Sequence, residues 1–156
     1  MPKIAVFPGS FDPITIGHTD IVERSLPLFD SIIIGVGNNS QKKYLFDTET
    51  RTRWIEKIFA HEKKVSVQAF SGLTVEFCKN VNANFILRGL RSAADFEYES
   101  LIAQANLSMS GIETIFMLSK PEYSAISSTV IRDIVRNNGD ASKFLPAAIS
   151  KEINKK

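Results

Sequence analysis

Short apolar runs alternate with helical spacings along the whole chain. Ile4 to Phe7, Ser31 to Gly37, Val65 to Phe70, Asn84 to Arg88 and Glu113 to Leu118 are each of strand length and mostly lack polar alternation. Runs of that kind predict strands covered on both faces, and hence a parallel sheet. Between them, residues 17–29, 48–60, 73–81 and 92–110 read as helices. In the first, Ile14, His18, Ile21, Val22, Ser25 and Phe29 recur at intervals of three and four and share one face. Ser92 and Asp95 stand at the spacing of a capping box. Residues 127–138 predict another helix with Gly139 as its stop, and residues 146–154 a last one running into a basic end. Repeated β-α-β order predicts an α/β, doubly wound, five-stranded parallel sheet with helices on both faces. In such a sheet ligands bind beyond the carboxyl ends of the strands.

Composition keeps this picture to a single domain spanning residues 1–156. The chain is 44% hydrophobic with no break in composition, enough to bury roughly two-thirds of its unfolded surface around one core. Nineteen basic against seventeen acidic residues leave a formal charge of +2. Their dispersal gives no nucleic-acid footprint and favours small anions held locally. Cys78 is the only cysteine, which excludes an internal disulfide framework and a Cys-rich metal site. A lone thiol fits a reducing compartment, so a cytoplasmic location is expected. The first residues lead directly into strand-like sequence, and the longest apolar run, Ile32 to Val36, is far too short to span a bilayer. Neither a signal peptide nor a membrane segment is expected.

The candidate chemistry gathers where the predicted strands give way to loops. Residues 7–22, FPGSFDPITIGHTDIV, put Pro8, Gly9, Asp12, Pro13 and Gly17 into one short connection and His18 at the mouth of a helix. Glycines permit close backbone approach, prolines lower the entropy lost on ordering, and a helix start aims unpaired N–H groups at an anion. His18 can donate from its ring to a phosphoryl oxygen; the competing reading is a satisfied core histidine. Further on, SAISSTVIRD sets Ser127, Ser128 and Thr129 before a helix whose next turn carries Arg132. Such hydroxyls either cap a helix or cradle phosphate. Arg88 carries a charge out of an apolar strand, where a purely structural role needs a carboxylate such as Asp95 or Glu97. Lys42 beside Lys43 has an ordinary reading as a solvated pair, as has the stretch from His61 to Lys64. Cys78 reads as a small buried hydrophobe. Gly35-Val-Gly-Asn-Asn-Ser40 lacks the third glycine of a dinucleotide fingerprint, and no Gly-x-x-x-x-Gly-Lys-Ser/Thr is present. If phosphate is bound, another device must hold it.

Thr15-Ile-Gly-His18 and Ile126-Ser-Ser-Thr-Val-Ile-Arg132 resemble the paired signatures of the nucleotidyltransferases with an HxGH or TxGH motif, whose fold is Rossmann-like. Over nearly the whole chain the likeness extends to the phosphopantetheine adenylyltransferases. Pro8 to Thr15, Lys42, Leu87-Arg-Gly-Leu-Arg91, Asp95-Phe-Glu-Tyr-Glu99 and Phe144-Leu-Pro146 match that family's pattern in order. Departures are mild: Ser10 stands where threonine is usual, Ile16 where asparagine is common, Tyr123 where tryptophan is frequent and Thr129 where serine often sits.

The resemblance implies transfer of the adenylyl group of ATP to 4'-phosphopantetheine, giving dephospho-coenzyme A and pyrophosphate. It implies catalytic roles for His18, as stabiliser of the five-coordinate transition state, and for Lys42 and Arg91. ATP would lie against Ser10, Phe11, His18, Gly89, Leu90, Arg91 and Glu99 and the run Tyr123, Ser124, Ala125, Ile126, Ser127, Ser128 and Thr129. The acceptor would meet Ser10, Lys42, Leu73, Thr74, Arg88 and Asn106. Mg²⁺ would ride on the triphosphate with no protein metal ligand, and the assembly would be a homo-hexamer. On the residues alone, a related transferase taking nicotinate mononucleotide or glycerol 3-phosphate, and a nucleotide-sensing module without turnover, stay open.

Overall fold

The apolar runs form strands within about two residues of their expected limits. The structure is a computed structural model and describes residues 1–154. Its strands are β1 (Ile4–Gly9), β2 (Ser31–Gly37), β3 (Val65–Phe70), β4 (Phe85–Leu90) and β5 (Glu113–Leu118). Its α-helices are α1 (Ile16–Ser25), α2 (Thr48–Ile58), α3 (Thr74–Asn80), α4 (Ala93–Ser110), α5 (Ser128–Arg136) and α6 (Ala147–Ile153). All the strands pair in parallel, in the order β3-β2-β1-β4-β5, the doubly wound, Rossmann-like arrangement.

That order reverses at β1. The chain winds outward from β1 through β2 to β3, then restarts at β4 on the other side of β1. β1 stays paired with β2 as far as Gly9↔Val36, but with β4 only at Ala5↔Phe85 and Val6↔Ile86. The carboxyl ends of β1 and β4 therefore part, and a doubly wound sheet takes its ligands in the crevice at such a switch point.

Alternation along β1 sends Ala5 and Phe7 to one face of the sheet and Val6 to the other. On the first face Ile21 and Val22 of α1, Trp54 and Ile55 of α2, Ile131 of α5 and Ile149 and Ile153 of α6 complete the larger core. On the second, Val75, Phe77 and Cys78 of α3 pack against Val6, Ile86 and Ile112. Burial pushes the Cys78 thiol up to about 11, so it is inert packing at neutral pH.

Several helix ends differ from their expected limits for local reasons. α1 stops at Ser25 because Pro27 has no N–H to continue the ladder, and the chain runs on as a 3₁₀ turn over Leu26–Leu28. The capping box at Ser92 is half made. Its hydroxyl accepts from the Asp95 N–H at 3.2 Å, but the Asp95 carboxylate accepts from the Arg91 N–H at 2.9 Å. α5 is closed by Asn138, at φ +59°, and not by Gly139. Gly139 is needed for space, since a Cβ there would stand 2.8 Å from Ile134 Cγ2. The last two residues of the expected basic end lie outside the described residues.

α4 breaks the amphipathic rule that the other helices keep. None of its side chains is buried, and Phe96, Tyr98, Leu101, Leu107 and Met109 are 43% to 68% exposed. No described helix is long and apolar enough to cross a membrane.

Packing behind the crevice is tight enough to test. Gly35 of β2 lies against the rings of Phe70 and Phe77, which stack at 4.5 Å, and an added Cβ would stand 2.8 Å from the Phe77 ring. Gly35→Ala is expected to cost about 1–3 kcal/mol through overpacking. The measurement is a lower midpoint of urea unfolding at unchanged slope; an unaltered midpoint would mean that the ring pair yields freely.

Candidate active site

The connection after β1 is fixed on three sides. The Asp12 carboxylate accepts from the N–H groups of Leu45 and Phe46, both at 2.9 Å. Arg51 of α2 donates to the carbonyls of Ser10, Gly37 and Phe46 at 2.5, 3.1 and 3.0 Å. From α5, Arg132 donates to the Asp12 carbonyl at 2.9 Å and the Ser128 hydroxyl to the Pro13 carbonyl at 2.8 Å. The close approach expected at Gly9 is taken up within the protein: a Cβ there would stand 3.0 Å from the Phe11 ring. Phe11 itself is held at φ +48°, in the left-handed region, with its ring edge-on to Phe7 and to His18.

His18 serves the helix and faces the crevice at once. Thr15 is the N-cap of α1, and its hydroxyl accepts from the His18 N–H at 3.3 Å. In return His18 Nδ1 accepts from the Thr15 N–H at 3.0 Å, which completes a capping box with an imidazole in the carboxylate's place. An accepting Nδ1 carries no proton, so the neutral ring holds its proton on Nε2. Burial first, and then the positive charges of Arg88 and Arg91, together lower the pKa to about 4. The ring is therefore neutral at pH 7.

Two clefts of about 310 Å³ each open at the switch point. Ser10, Phe11, His18, Arg88, Gly89, Arg91, Glu99, Tyr123, Ile126, Ser127, Ser128 and Thr129 line the first. Ser10, Lys42, Thr74, Arg88, Glu99 and Asn106 line the second, together with Ile86, Ile102 and Thr114. Pro8, Gly9, Ser10, Arg88 and Glu99 form a wall common to both. Four expected residues line neither cleft. Leu90, at the end of β4, is buried, 6% exposed. Leu73 is 60% exposed at the N-cap of α3, and Ser124 and Ala125 lie in the turn before α5.

Each arginine of the Arg-Gly-Leu-Arg run has its own carboxylate. Arg88 Nε and NH2 meet Glu99 at 2.9 and 2.6 Å, and NH1 donates to the Pro8 carbonyl at 2.6 Å. Its partner is thus Glu99, one helical turn beyond the expected Asp95. Asp95 instead holds Arg91, through its N–H at 2.9 Å and its Nε at 3.3 Å. Three of Arg88's five N–H groups are engaged by these contacts, leaving one on each terminal nitrogen. Of the three hydroxyls before α5, Ser127 caps the helix, Ser128 ties it to Pro13 and Thr129 accepts from Arg132.

Sequence reasoning missed Arg51, the locking role of Asp12 and Thr114. The anchors of Arg51 are main-chain carbonyls, which no sequence pattern marks. Asp12 was noted only as part of a turn, and Thr114 lies within a run read as plain strand.

Residues 6–134 match the cytidylyltransferase-like family. The chain is 54% identical over 145 residues to the phosphopantetheine adenylyltransferase of Flavobacterium psychrophilum, covering 93% of this chain and 96% of that protein. It is 51% identical over 150 residues to that of Christiangramia forsetii, covering 96% and 99%. Among solved structures, a bifunctional NMN adenylyltransferase/ADP ribose pyrophosphatase from Francisella tularensis shares the fold, with a TM-score of 0.74 at 19% identity over 99% of this chain and 49% of that one. Identity to these two adenylyltransferases at more than half of the aligned positions, over at least 93% of its length, makes the chain a member of the phosphopantetheine adenylyltransferases, within the cytidylyltransferase-like family.

Proposed function

We propose that the chain transfers the adenylyl group of ATP to 4'-phosphopantetheine, releasing pyrophosphate and forming dephospho-coenzyme A. The observation that carries this reading is the pair of equal clefts that meet along one wall at Ser10 and Arg88. One cleft takes each substrate, and their phosphates meet at the wall. An oxygen of the acceptor phosphate attacks the α-phosphorus; the bond from that phosphorus to the bridging oxygen breaks, and pyrophosphate leaves with the electron pair. A phosphate monoester has its second pKa near ~6 and is largely ionised at neutral pH, so no general base is needed. Alignment and stabilisation of developing charge are sufficient.

The residues divide accordingly. Neutral His18 donates from Nε2 to an α-phosphoryl oxygen as charge builds there. The two remaining N–H groups of Arg88 fork onto the acceptor phosphate. Lys42 and Ser10 hold the reacting oxygens, and Arg91, oriented by Asp95, meets the β- and γ-phosphates. Thr74 and Asn106 face the pantetheine arm, while Phe11, Gly89 and the stretch from Tyr123 to Thr129 surround the nucleotide. Mg²⁺ bound to the triphosphate supplies further neutralisation of its charge. The carboxylates nearby are already engaged, Asp12 with main-chain N–H groups, Asp95 with Arg91 and Glu99 with Arg88, so phosphate oxygens carry the ion. Among the described residues no three or more His, Cys, Asp and Glu side chains gather as a metal cage. One free, buried cysteine suits a cytoplasmic enzyme. The bare apolar surface of α4 supports assembly of this chain with copies of itself, and the family resemblance sets the number at six.

The acceptor is tested directly. Purified protein with Mg-ATP is expected to release pyrophosphate with 4'-phosphopantetheine and far less with nicotinate mononucleotide or glycerol 3-phosphate. Equal or faster turnover with another acceptor overturns the assignment.

His18→Asn keeps an acceptor for the Thr15 N–H and removes the imidazole. It is expected to lower kcat by roughly 10²- to 10³-fold with the KM for ATP within about two-fold. Because the folded pKa is about 4, wild-type kcat should lose nothing through this group until the pH nears that value. Stability behaves differently. Below about pH 6.5 the unfolded chain binds a proton at His18 that the folded chain refuses, so stability is lost as the pH falls from there toward 4. A wild-type kcat that halves near pH 6.5 through His18 would contradict the neutral-donor role.

Assembly is tested by sedimentation, which is expected to report a hexamer for the wild-type chain and smaller species for Leu101→Glu. A wild-type monomer would leave the α4 surface to another partner.

A further inference from the structure

Thr114 of β5 carries the one buried side-chain polar atom, among the described residues, that has no hydrogen-bond partner. Buried hydroxyls are almost always paired, and leaving one unpaired costs stability. Its position suggests what the missing partner is. Thr114 stands in register with Ile86 of β4, and in a parallel pair such neighbours share a face. Both residues line the second cleft, with Ile102 and Ala103 of α4 supplying apolar wall nearby. Arg88 lies two residues beyond Ile86 on the same strand and face, roughly 7 Å along at the usual rise per residue. Moving from the phosphate grip down the sheet, the next polar side chain on the cleft floor is therefore Thr114.

We infer that Thr114 is a specificity-determining residue, whose hydroxyl pairs with a polar group on the arm of the acceptor, a hydroxyl or an amide within that reach of its phosphate. The inference rests on the reading of the second cleft as the phosphopantetheine site. Rotation about χ1 exchanges the methyl and the hydroxyl of a threonine at nearly constant volume, so the contact forms without repacking. A hydroxyl left unpaired in the free protein and paired in the complex makes the cleft selective. An acceptor with a phosphate and a purely apolar arm would satisfy Arg88 and still leave Thr114 unpaired, which a site built for a hydrogen bond penalises.

Thr114→Val removes the hydroxyl at constant shape and Thr114→Ser keeps it. In steady-state assays on the whole chain, Thr114→Val is expected to raise the KM for 4'-phosphopantetheine about five-fold, the worth of one neutral hydrogen bond. The KM for ATP and kcat should stay within two-fold of wild type, and Thr114→Ser should behave as wild type. The melting temperature of Thr114→Val should equal or exceed that of wild type, because an unpaired buried group has gone. Unchanged acceptor KM in Thr114→Val overturns the contact, as does an equal rise in both KM values or a Thr114→Ser variant as impaired as Thr114→Val. Calorimetric binding of 4'-phosphopantetheine to the wild-type chain separates the two readings. No wild-type binding and no turnover overturn the assigned reaction and the contact with it, whereas wild-type activity with an indifferent Thr114→Val overturns the contact alone.

Discussion

The geometry of the crevice hangs on a buried cation that lines neither cleft. Arg51 is 1% exposed, lies 4.0 Å over the Tyr44 ring and spends its donors on Ser10, Gly37, Phe46 and Thr48. Two of those carbonyls lie at or just past the carboxyl ends of β1 and β2, where the ladder no longer supplies a partner. Burial lowers the guanidinium's pKa, and the charge of Asp12 is the largest influence opposing it. A buried charge is tolerated when its donors are matched, and removing either side leaves the other unpaired. The main chain at Ser10 is thereby tied to the sheet and to α2, and it does not move as a free loop would.

That rigidity sets the electrostatics of His18. With the connection fixed, the Thr15 N–H points at Nδ1 and imposes one tautomer. A proton added at Nδ1 would set two donors against each other across 3.0 Å, beside the positive charges of Arg88 and Arg91. Burial, two neighbouring cations and a fixed donor all act in the same sense. The helix cap thus also keeps the ring neutral, with its proton on the nitrogen away from Thr15.

What the sequence makes legible follows from what is local. The inner strands β1, β2 and β4 are covered on both faces and appear as apolar runs, whereas the edge strand β3 exposes Ser66 and Gln68 and is legible by its β-branched and apolar positions between them. The Thr-x-Gly-His and Ser-Ser-Thr segments were visible because a helix start needs caps within a few residues of itself. Glu99 as partner of Arg88, in place of Asp95 or Glu97, depends on the direction α4 takes across the sheet, which no spacing encodes. Leu90 is buried even though its neighbours Gly89 and Arg91 line the first cleft. Arg51 was invisible because its partners are carbonyls, identical at every position of the chain. That α4 leaves its apolar residues exposed is likewise not legible, since a pattern of hydrophobic positions does not say whether a helix covers its own sheet or another surface.

The free crevice is poised rather than strongly positive. Arg88 is matched by Glu99 and Arg91 by Asp95, so each guanidinium is oriented before any phosphate arrives and is partly neutralised by its carboxylate. Orientation lowers the entropy cost of gripping phosphate, while the carboxylates weaken the raw attraction for any anion. On the proposed reaction, a phosphate that leaves returns each arginine to a partner already in contact, so departure strands no unpaired charge. Discrimination between acceptors then cannot reside in the arginines, which any phosphate would satisfy. On that reaction it would fall to the second cleft beyond Arg88, which Ile86, Ile102, Asn106 and Thr114 line.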